Sequence, residues 1–269
     1  MLMLLSPAKM LDFDPAPKEL PVSKPQLNKD TKELEPVVKK LSRAQIKRLM
    51  GISDNLADLN YERFQAFKSS GRIVGAKQAA LTFAGEVYRG LDAQSLSKED
   101  LEYAQDHVRI LSGLYGLLRP LDGIQPYRLE MGSRLKNARG DNLHAFWKPV
   151  LSSSLDKAIK GHDDPTIVCL ASNEYAKAVD RKTLKAPFLT FNFKETKDGK
   201  SRAIMLYVKQ ARGMMARWAI ENRIAKTEDL KNFSVGGYKF SKSQSTDHDW
   251  VFTRAQPKPK GAPKKNKAA

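Results

Sequence analysis

The sequence predicts an α+β protein in which a single domain mixes helices and strands. Short apolar runs such as TIVCLAS and FLTFNFKE are rich in β-branched or aromatic residues and are typical of buried strands. Segments with apolar residues at helical spacing lie between them. No long shift in composition divides the 269 residues. We therefore expect one domain over residues 1–254 and a disordered Lys/Pro-rich tail over residues 255–269.

The N-terminal elements are predicted in turn as strand, extended segment and helices. MLMLLSPAKM opens as a short buried strand that ends at Ser6. Residues 14–29 hold four prolines, which predicts an extended surface segment. Helical spacing follows from Thr31 to Phe67, and AKQAALTFAGEVYRGL then combines a strand-like core with a short helix. Ser97 and Asp100 form the capping box of a further helix.

From residue 141 onward, the sequence predicts two helices and two hairpins. DNLHAFWKPVLSSSLDKAI is an amphipathic helix that Pro149 should kink or break. Asp198-Gly199 predicts the turn of a hairpin between the strands FLTFNFKE and RAIMLYV. Residues 209–224 are predicted to be helical, and residues 236–254 read as a closing hairpin with a polar loop.

The net charge indicates a polyanion as partner. The chain has 47 Lys and Arg against 30 Asp and Glu, a formal charge of +17. Six of the basic residues lie within residues 254–269, so 41 basic residues still face the 30 acidic ones and leave +11 on the rest. A basic fold with a Lys/Pro tail is the electrostatic footprint of a nucleic-acid binder. Solubility alone is the alternative explanation.

Several other classes of protein are disfavoured. No stretch approaches the roughly 20 apolar residues that cross a bilayer, and no signal peptide is visible, so we expect a cytoplasmic protein without membrane contact. The single cysteine, Cys169, excludes an intramolecular disulfide and reads as an inert buried thiol. The four histidines lack metal-ligand spacing, and no cofactor fingerprint occurs, so no metal or cofactor is predicted.

The strongest short motif is LSRAQIKRLMGISDNLADLNYERF, residues 41–64. Ser42 and Gln45 form a capping box for a first helix, Gly51 stands where the chain must reverse, and Ser53 or Asp54 can cap a second helix. The apolar face of this pair is predicted to comprise Ile46, Leu49, Ile52, Leu56 and Leu59.

The motif resembles the helix-hairpin-helix pattern, with Ala57 at the expected distance and Ser53 in place of the second glycine. Free N–H groups at a helix N-terminus accept a phosphate oxygen, aided by the helix dipole. The predicted DNA-binding residues here are Lys47, Arg48, Gly51, Ile52, Ser53 and Asn55. An ordinary helical hairpin is the alternative.

A second group of candidates predicts a basic cleft. Between Arg109 and Leu135, glycines and prolines alternate with apolar residues, which favours a defined loop that carries Arg119 and Arg128 as one cleft wall. A loop held internally by a salt bridge to Glu130 is the alternative. Lys9, just past the first strand, can bind phosphate or remain solvated.

Four segments resemble the peroxide stress protein YaaA family: SPAKMLDF, residues 109–135, LASNEYAKAV and residues 209–224. The resemblance covers Met1 to about Arg254. It implies a cytoplasmic bacterial protein that limits damage by hydrogen peroxide and iron. It also implies an unusual mixed fold, called the cantaloupe fold, with a basic cleft and a helix-hairpin-helix element that bind duplex or distorted DNA without strong sequence preference. With that cleft in view, Lys209 and Arg212 are expected to contact phosphates.

Two other functions remain open at this stage. The cleft could hold an enzyme for nucleic acid or a small anionic metabolite, with Glu130 or Glu174 as general acid or base. Alternatively, only the basic tail touches nucleic acid and the body is an interaction module. The sequence favours a DNA-binding protein that is not an enzyme.

Overall fold

The computed structural model describes residues 1–15, 20–70 and 75–257. The predicted disordered tail lies outside these residues from Lys258 onward, as does part of the proline-rich segment. The helices described are α1 (Asn28–Lys39), α2 (Arg43–Met50), α3 (Asp54–Ala66), α4 (Ala79–Thr82), α5 (Glu86–Leu91), α6 (Lys98–His107), α7 (Leu143–Ala158), α8 (Asn173–Ala176) and α9 (Met205–Glu221). Short 3-10 helices span Thr227–Asn232, Val235–Gly237 and Lys242–Gln244.

The strands are β1 (Leu2–Leu5), β2 (Met10–Leu11), β3 (Lys77–Gln78), β4 (Phe83–Ala84), β5 (Val108–Ser112), β6 (Gly116–Leu118), β7 (Gly123–Ile124), β8 (Ile167–Cys169), β9 (Phe188–Lys197), β10 (Lys200–Arg202), β11 (Lys239–Phe240) and β12 (Asp249–Ala255). Within the described residues, eight strands form one sheet in the order β11-β12-β9-β8-β1-β5-β6, with β10 paired to β9. The chain is thus a mixed α/β fold around a large mixed sheet.

The centre of the sheet is parallel, and this positions the candidate site. β12, β9, β8, β1 and β5 run in the same direction, whereas β6, β10 and β11 pair antiparallel. β1, β5 and β8 are completely buried, as expected of parallel strands covered on both faces. Their carboxyl ends lie at one edge of the sheet, where ligands commonly bind in open α/β sheets.

Helix α9 packs across α5 at very short range. A Cβ atom added to Gly213 would lie 1.8 Å from the carbonyl oxygen of Val87, and one added to Gly90 would lie 2.2 Å from that of Gln210. The two backbones therefore touch at two glycines, which only residues without a side chain permit.

Local predictions about caps and turns are confirmed. Ser42 with Gln45 and Ser97 with Asp100 form reciprocal capping boxes. β9 and β10 pair antiparallel around Asp198 and Gly199, and β11 pairs antiparallel with β12. The capping boxes and the Asp198-Gly199 turn depend on residues within a few positions of each other, so local sequence is enough to predict them.

Three predictions about the helices and strands are wrong. RAIMLYV is not a strand, because β10 ends at Arg202 and α9 begins at Met205. A short apolar run does not distinguish a strand from the first turn of a helix. The break predicted at Pro149 does not occur, because α7 continues through this residue from Leu143 to Ala158. Leu56 and Leu59 are exposed, because the buried side of α3 is formed by Ala57, Asn60 and Phe64.

Candidate functional site

The α2–α3 hairpin has the local geometry that its sequence predicts. Gly51 ends α2 in the left-handed conformation at φ 61° and ψ 47°. Its N–H donates to the carbonyl of Lys47, and the N–H of Ile52 donates to the same oxygen at 3.3 Å. The Ser53 hydroxyl then accepts from the N–H of Leu56 and caps α3. The chain therefore reverses in the three residues between the helices.

The exposed tip of this hairpin carries both signs of charge. Lys47 forms an ion pair with Asp54, with 2.8 Å between Nζ and Oδ2. Arg48 and Asn55 are exposed, and neither side chain has a hydrogen-bond or ionic partner among the described residues. Ile52 packs against the core. The tip thus presents one unpaired cation beside the first turn of α3.

A second group of polar residues gathers at the carboxyl edge of the sheet. Ser6 follows β1, and its hydroxyl accepts from the N–H of Ser172, which follows β8. The carboxylate of Glu130 lies 3.0 Å from Nζ of Lys9 and 3.2 Å from a guanidinium nitrogen of Arg128. The sheet therefore brings together two cations and a carboxylate from segments that are distant in sequence.

Glu174 belongs to the same edge but has a structural contact. One of its carboxylate oxygens accepts from the N–H of Gly132 at 2.9 Å, and its own carbonyl contacts Nε2 of His144 at 2.7 Å. Glu130 and Glu174 thus hold two ends of one short segment, residues 130–132, against the sheet.

Buried tyrosines form the floor beneath this segment. Tyr88 donates its hydroxyl hydrogen to the carbonyl of Ser6, and the hydroxyls of Tyr127 and Ser112 lie 2.6 Å apart. Burial raises the pKa of Tyr88, Tyr127 and Tyr175, so all three stay neutral. Sequence reasoning does not single out these residues, because tyrosines in apolar runs are typical of a core.

Arg119 is held inside the fold. Its Nε and Nη2 atoms lie 3.1 and 2.9 Å from Oδ1 of Asp122, whose other oxygen accepts from the N–H of Arg119. Nη2 also donates to the carbonyl of Lys24. Asp122 itself is fully buried. The acid that pairs with Arg119 is therefore Asp122, whereas Glu130 pairs with Arg128.

The two basic residues of α9 differ in their surroundings. Lys209 is exposed, whereas Arg212 is largely buried near Cys169. Burial lowers the pKa of Arg212 and raises that of Cys169. Arg212 has no hydrogen-bond or ionic partner among the residues that the structure describes. The structure therefore places Lys9 and Arg128 in one cluster, and it leaves Arg119 and Arg212 in separate surroundings.

Comparison with known proteins identifies the family. The model of the peroxide stress protein YaaA family matches residues 1–244. The chain belongs to this family. A UPF0246 protein of Phenylobacterium zucineum is 52% identical over 262 residues, which cover 97% of this chain and 98% of that protein. A UPF0246 protein of Caulobacter vibrioides is 53% identical over 257 residues, covering 96% and 100% of the two chains. One from Ralstonia pickettii is 50% identical over 254 residues, covering 94% and 99%.

The YaaA family description is thus confirmed across nearly the whole folded body. Within residues 1–15, 20–70 and 75–257, no helix is long and apolar enough to cross a membrane. Across those same ranges, no three His, Cys, Asp or Glu side chains converge as a metal site.

Proposed function

We propose that this YaaA family member is a cytoplasmic DNA-binding protein. It binds duplex or distorted duplex through the phosphate backbone and limits damage by peroxide and iron. The geometry of the α2–α3 hairpin is the main support, and we assign this hairpin as a helix-hairpin-helix element. Family membership and the charge of +17 add to it.

The hairpin can hold a phosphate at the start of α3. The first N–H groups of a helix have no partner within the helix, and here those of Asp54 and Asn55 face solvent at the exposed tip. The helix dipole adds a partial positive charge at this end. Arg48 supplies a full charge nearby, and Lys47 becomes available when a phosphate replaces the carboxylate of Asp54 as its partner. Such contacts position a protein on DNA without reading sequence.

Lys9 and Arg128 extend this proposal to the sheet edge, and Lys209 and Arg212 to α9. A site that binds the phosphate backbone of DNA requires cations that can exchange their carboxylate partners for phosphates. Glu130 is a weak competitor for a phosphate at Lys9, because the Lys9 side chain is 64% exposed and exposed ion pairs contribute little.

Charge reversal at the hairpin tests the proposal. We expect Arg48→Glu to weaken binding to all duplex sequences by about ten-fold and to lower the slope of log K against log salt, because a phosphate contact is lost. We expect Asp54→Asn to tighten binding about three-fold, because it removes a negative charge from the phosphate site and frees Lys47. Fluorescence anisotropy over a salt series measures both effects.

The matched control is Lys226→Glu, which makes the same charge change at an exposed residue away from the hairpin. A chain ending at residue 254 separates binding by the body from binding by the tail. Equal affinities for Arg48→Glu and Lys226→Glu would remove the hairpin from the interface. Loss of all binding on removal of residues 255–269 would assign DNA binding to the tail.

An enzyme at the sheet edge is a second candidate. The observation that favours it is the Glu130 carboxylate, which lies half-buried between Lys9 and Arg128 at the carboxyl ends of parallel strands. A carboxylate so placed can act as a general acid or base on nucleic acid or on a small anionic metabolite.

For this candidate we expect Glu130→Gln to abolish turnover and to leave DNA affinity within about two-fold, because the amide keeps the shape and loses the proton transfer. Denaturing gels of end-labelled duplex that contains a mismatch or an oxidised base measure turnover, and anisotropy measures affinity. Glu174→Gln is the paired variant. Turnover that survives both substitutions would exclude these carboxylates as catalytic groups.

A further inference from the structure

A groove of about 770 Å³ lies on the outer side of α7, facing residues 180–185. Ala145 and Pro149 line it from α7. Four lysines surround it: Lys148, Lys157, Lys160 and Lys185. This volume is within the range of small-molecule and nucleotide sites.

Three of the four lysines of the groove are available to an anion, whereas both of its acids already accept backbone N–H groups. Lys157, Lys160 and Lys185 are exposed and have no ion pair among the described residues. The carboxylate of Asp156 accepts from the backbone N–H groups of Lys185 and Ala186 at 3.0–3.2 Å. The other acid of the groove is Asp180. Its carboxylate accepts from the backbone N–H of Lys182 at 3.1 Å and lies 3.9 Å from Nζ of Lys148. The groove therefore attracts negative charge.

The wall between the lysines suits a nucleobase. Pro149 and Ala145 lie one helical turn apart and are both apolar. Because Pro149 has no N–H, the carbonyl oxygen of Ala145 lacks the usual helical hydrogen bond. An apolar wall with a rim of cations matches a nucleotide better than it matches a purely ionic ligand.

The groove also continues from the carboxyl edge of the sheet. His144, in the first turn of α7, contacts the carbonyl of Glu174 at 2.7 Å. Lys148 stands one turn further along α7, at the beginning of the groove. The groove therefore begins one helical turn from a residue that contacts the carboxyl edge of the sheet.

We propose that the α7 groove binds an unpaired strand of nucleic acid. The lysines contact its phosphates, and its bases lie against Pro149 and Ala145. This inference rests on the proposed DNA binding and specifies it further: the hairpin holds duplex, and the groove holds the single strand that a distorted duplex exposes. Single-strand sites of this kind combine a basic groove with surfaces for the bases and tolerate many sequences.

The experiment compares three probes on the full chain by fluorescence anisotropy. They are a blunt duplex, the same duplex with a single-stranded extension of about ten nucleotides, and that extension alone. The test variant is Lys157→Glu with Lys160→Glu, and the control is Lys226→Glu with Lys242→Glu, which makes the same charge change at exposed lysines elsewhere. Because all four lysines are exposed, we expect thermal unfolding to be nearly unchanged.

We expect the extension to raise affinity about five-fold or more in the wild type and in the control. In the test variant this gain should disappear, and affinity for blunt duplex should equal that of the control. A second variant, Pro149→Ala, restores the hydrogen bond to Ala145 without a charge change, and we expect it to reduce the gain for the extended probe only.

Three outcomes would overturn the proposal. Equal wild-type affinity for blunt and extended duplex would show that no single-strand site adds to binding, although duplex binding by the hairpin would stand. A gain that survives Lys157→Glu with Lys160→Glu would place the single strand elsewhere. Binding of polyglutamate as tightly as the single-stranded extension would assign the groove to an acidic protein segment. Failure of every probe to bind would instead reject the proposed DNA binding together with the groove.

Discussion

Gly213→Ala is expected to lower the free energy of unfolding by about 3 kcal/mol, the upper end of the usual cost of overpacking. A methyl group at this position would overlap the carbonyl oxygen of Val87 at 1.8 Å and the backbone nitrogen of Leu91 at 2.6 Å. Both atoms belong to the backbone of α5 and its end, so no side-chain rotation relieves the overlap. The helices must move apart, which loosens the packing of α9 on the sheet. Urea unfolding followed by circular dichroism measures the change.

The control is Met205→Ala, at an exposed residue of the same helix, which should stay within about 0.5 kcal/mol of the wild type. Gly90→Ala should behave like Gly213→Ala, because its added methyl would meet the carbonyl of Gln210 at 2.2 Å. A cost below 1 kcal/mol at Gly213 would show that α5 and α9 can separate cheaply.

This crossing illustrates which parts of the fold the sequence could predict. The helix over residues 209–224 is visible in its apolar spacing, yet Gly213 gives no indication of its partner. The contact joins residues more than 120 positions apart, Val87 and Gly213, and no local rule connects them. Capping boxes at Ser42 and Ser97 are predictable for the opposite reason, since donor and acceptor are three residues apart.

The candidate site, too, has parts that the sequence predicts and parts that it does not. The hairpin turn at Gly51 follows from backbone conformation and was predicted residue by residue. At the sheet edge, the sequence indicates that Lys9 follows a strand and that Glu174 is a candidate acid or base. Both residues share an edge with Glu130 because β1 and β8 are parallel neighbours, and this depends on the order of the strands in the sheet. The spacing of apolar residues along a sequence does not reveal the order of the strands in a sheet.

Arg119 shows how a local pattern can also mislead. Asp122 is only three residues away, but Asp122-Gly123 reads as a turn, and a buried aspartate is rare without a specific partner. The structure buries Asp122 completely and satisfies it with Arg119 and Ser23, which comes from the proline-rich segment near the N-terminus. The buried carboxylate of Asp122 therefore helps to hold the segment from Arg109 to Leu135 in one conformation.

Asp122→Ala is therefore expected to cost about 3–5 kcal/mol, the usual consequence of removing one partner of a buried ion pair. Four hydrogen bonds disappear: two from the Arg119 guanidinium, one from the Arg119 N–H and one from the Ser23 hydroxyl. The guanidinium, 24% exposed, keeps a hydrogen bond to the carbonyl of Lys24. Because Ser23 loses one of the hydrogen bonds that hold its segment, the loss should be accompanied by faster proteolysis of residues 20–27. Urea unfolding and limited proteolysis measure the two effects.

The double variant Asp122→Ala with Arg119→Met distinguishes a lost ion pair from a simple cavity. If the uncompensated guanidinium carries most of the cost, removing it as well should recover about 1–2 kcal/mol relative to Asp122→Ala alone, because an apolar side chain does not require a partner. The control Asp247→Ala removes an exposed carboxylate and should change stability by less than about 0.5 kcal/mol. A double variant less stable than the single one would show that the stem of Arg119 contributes more through packing than through its charge.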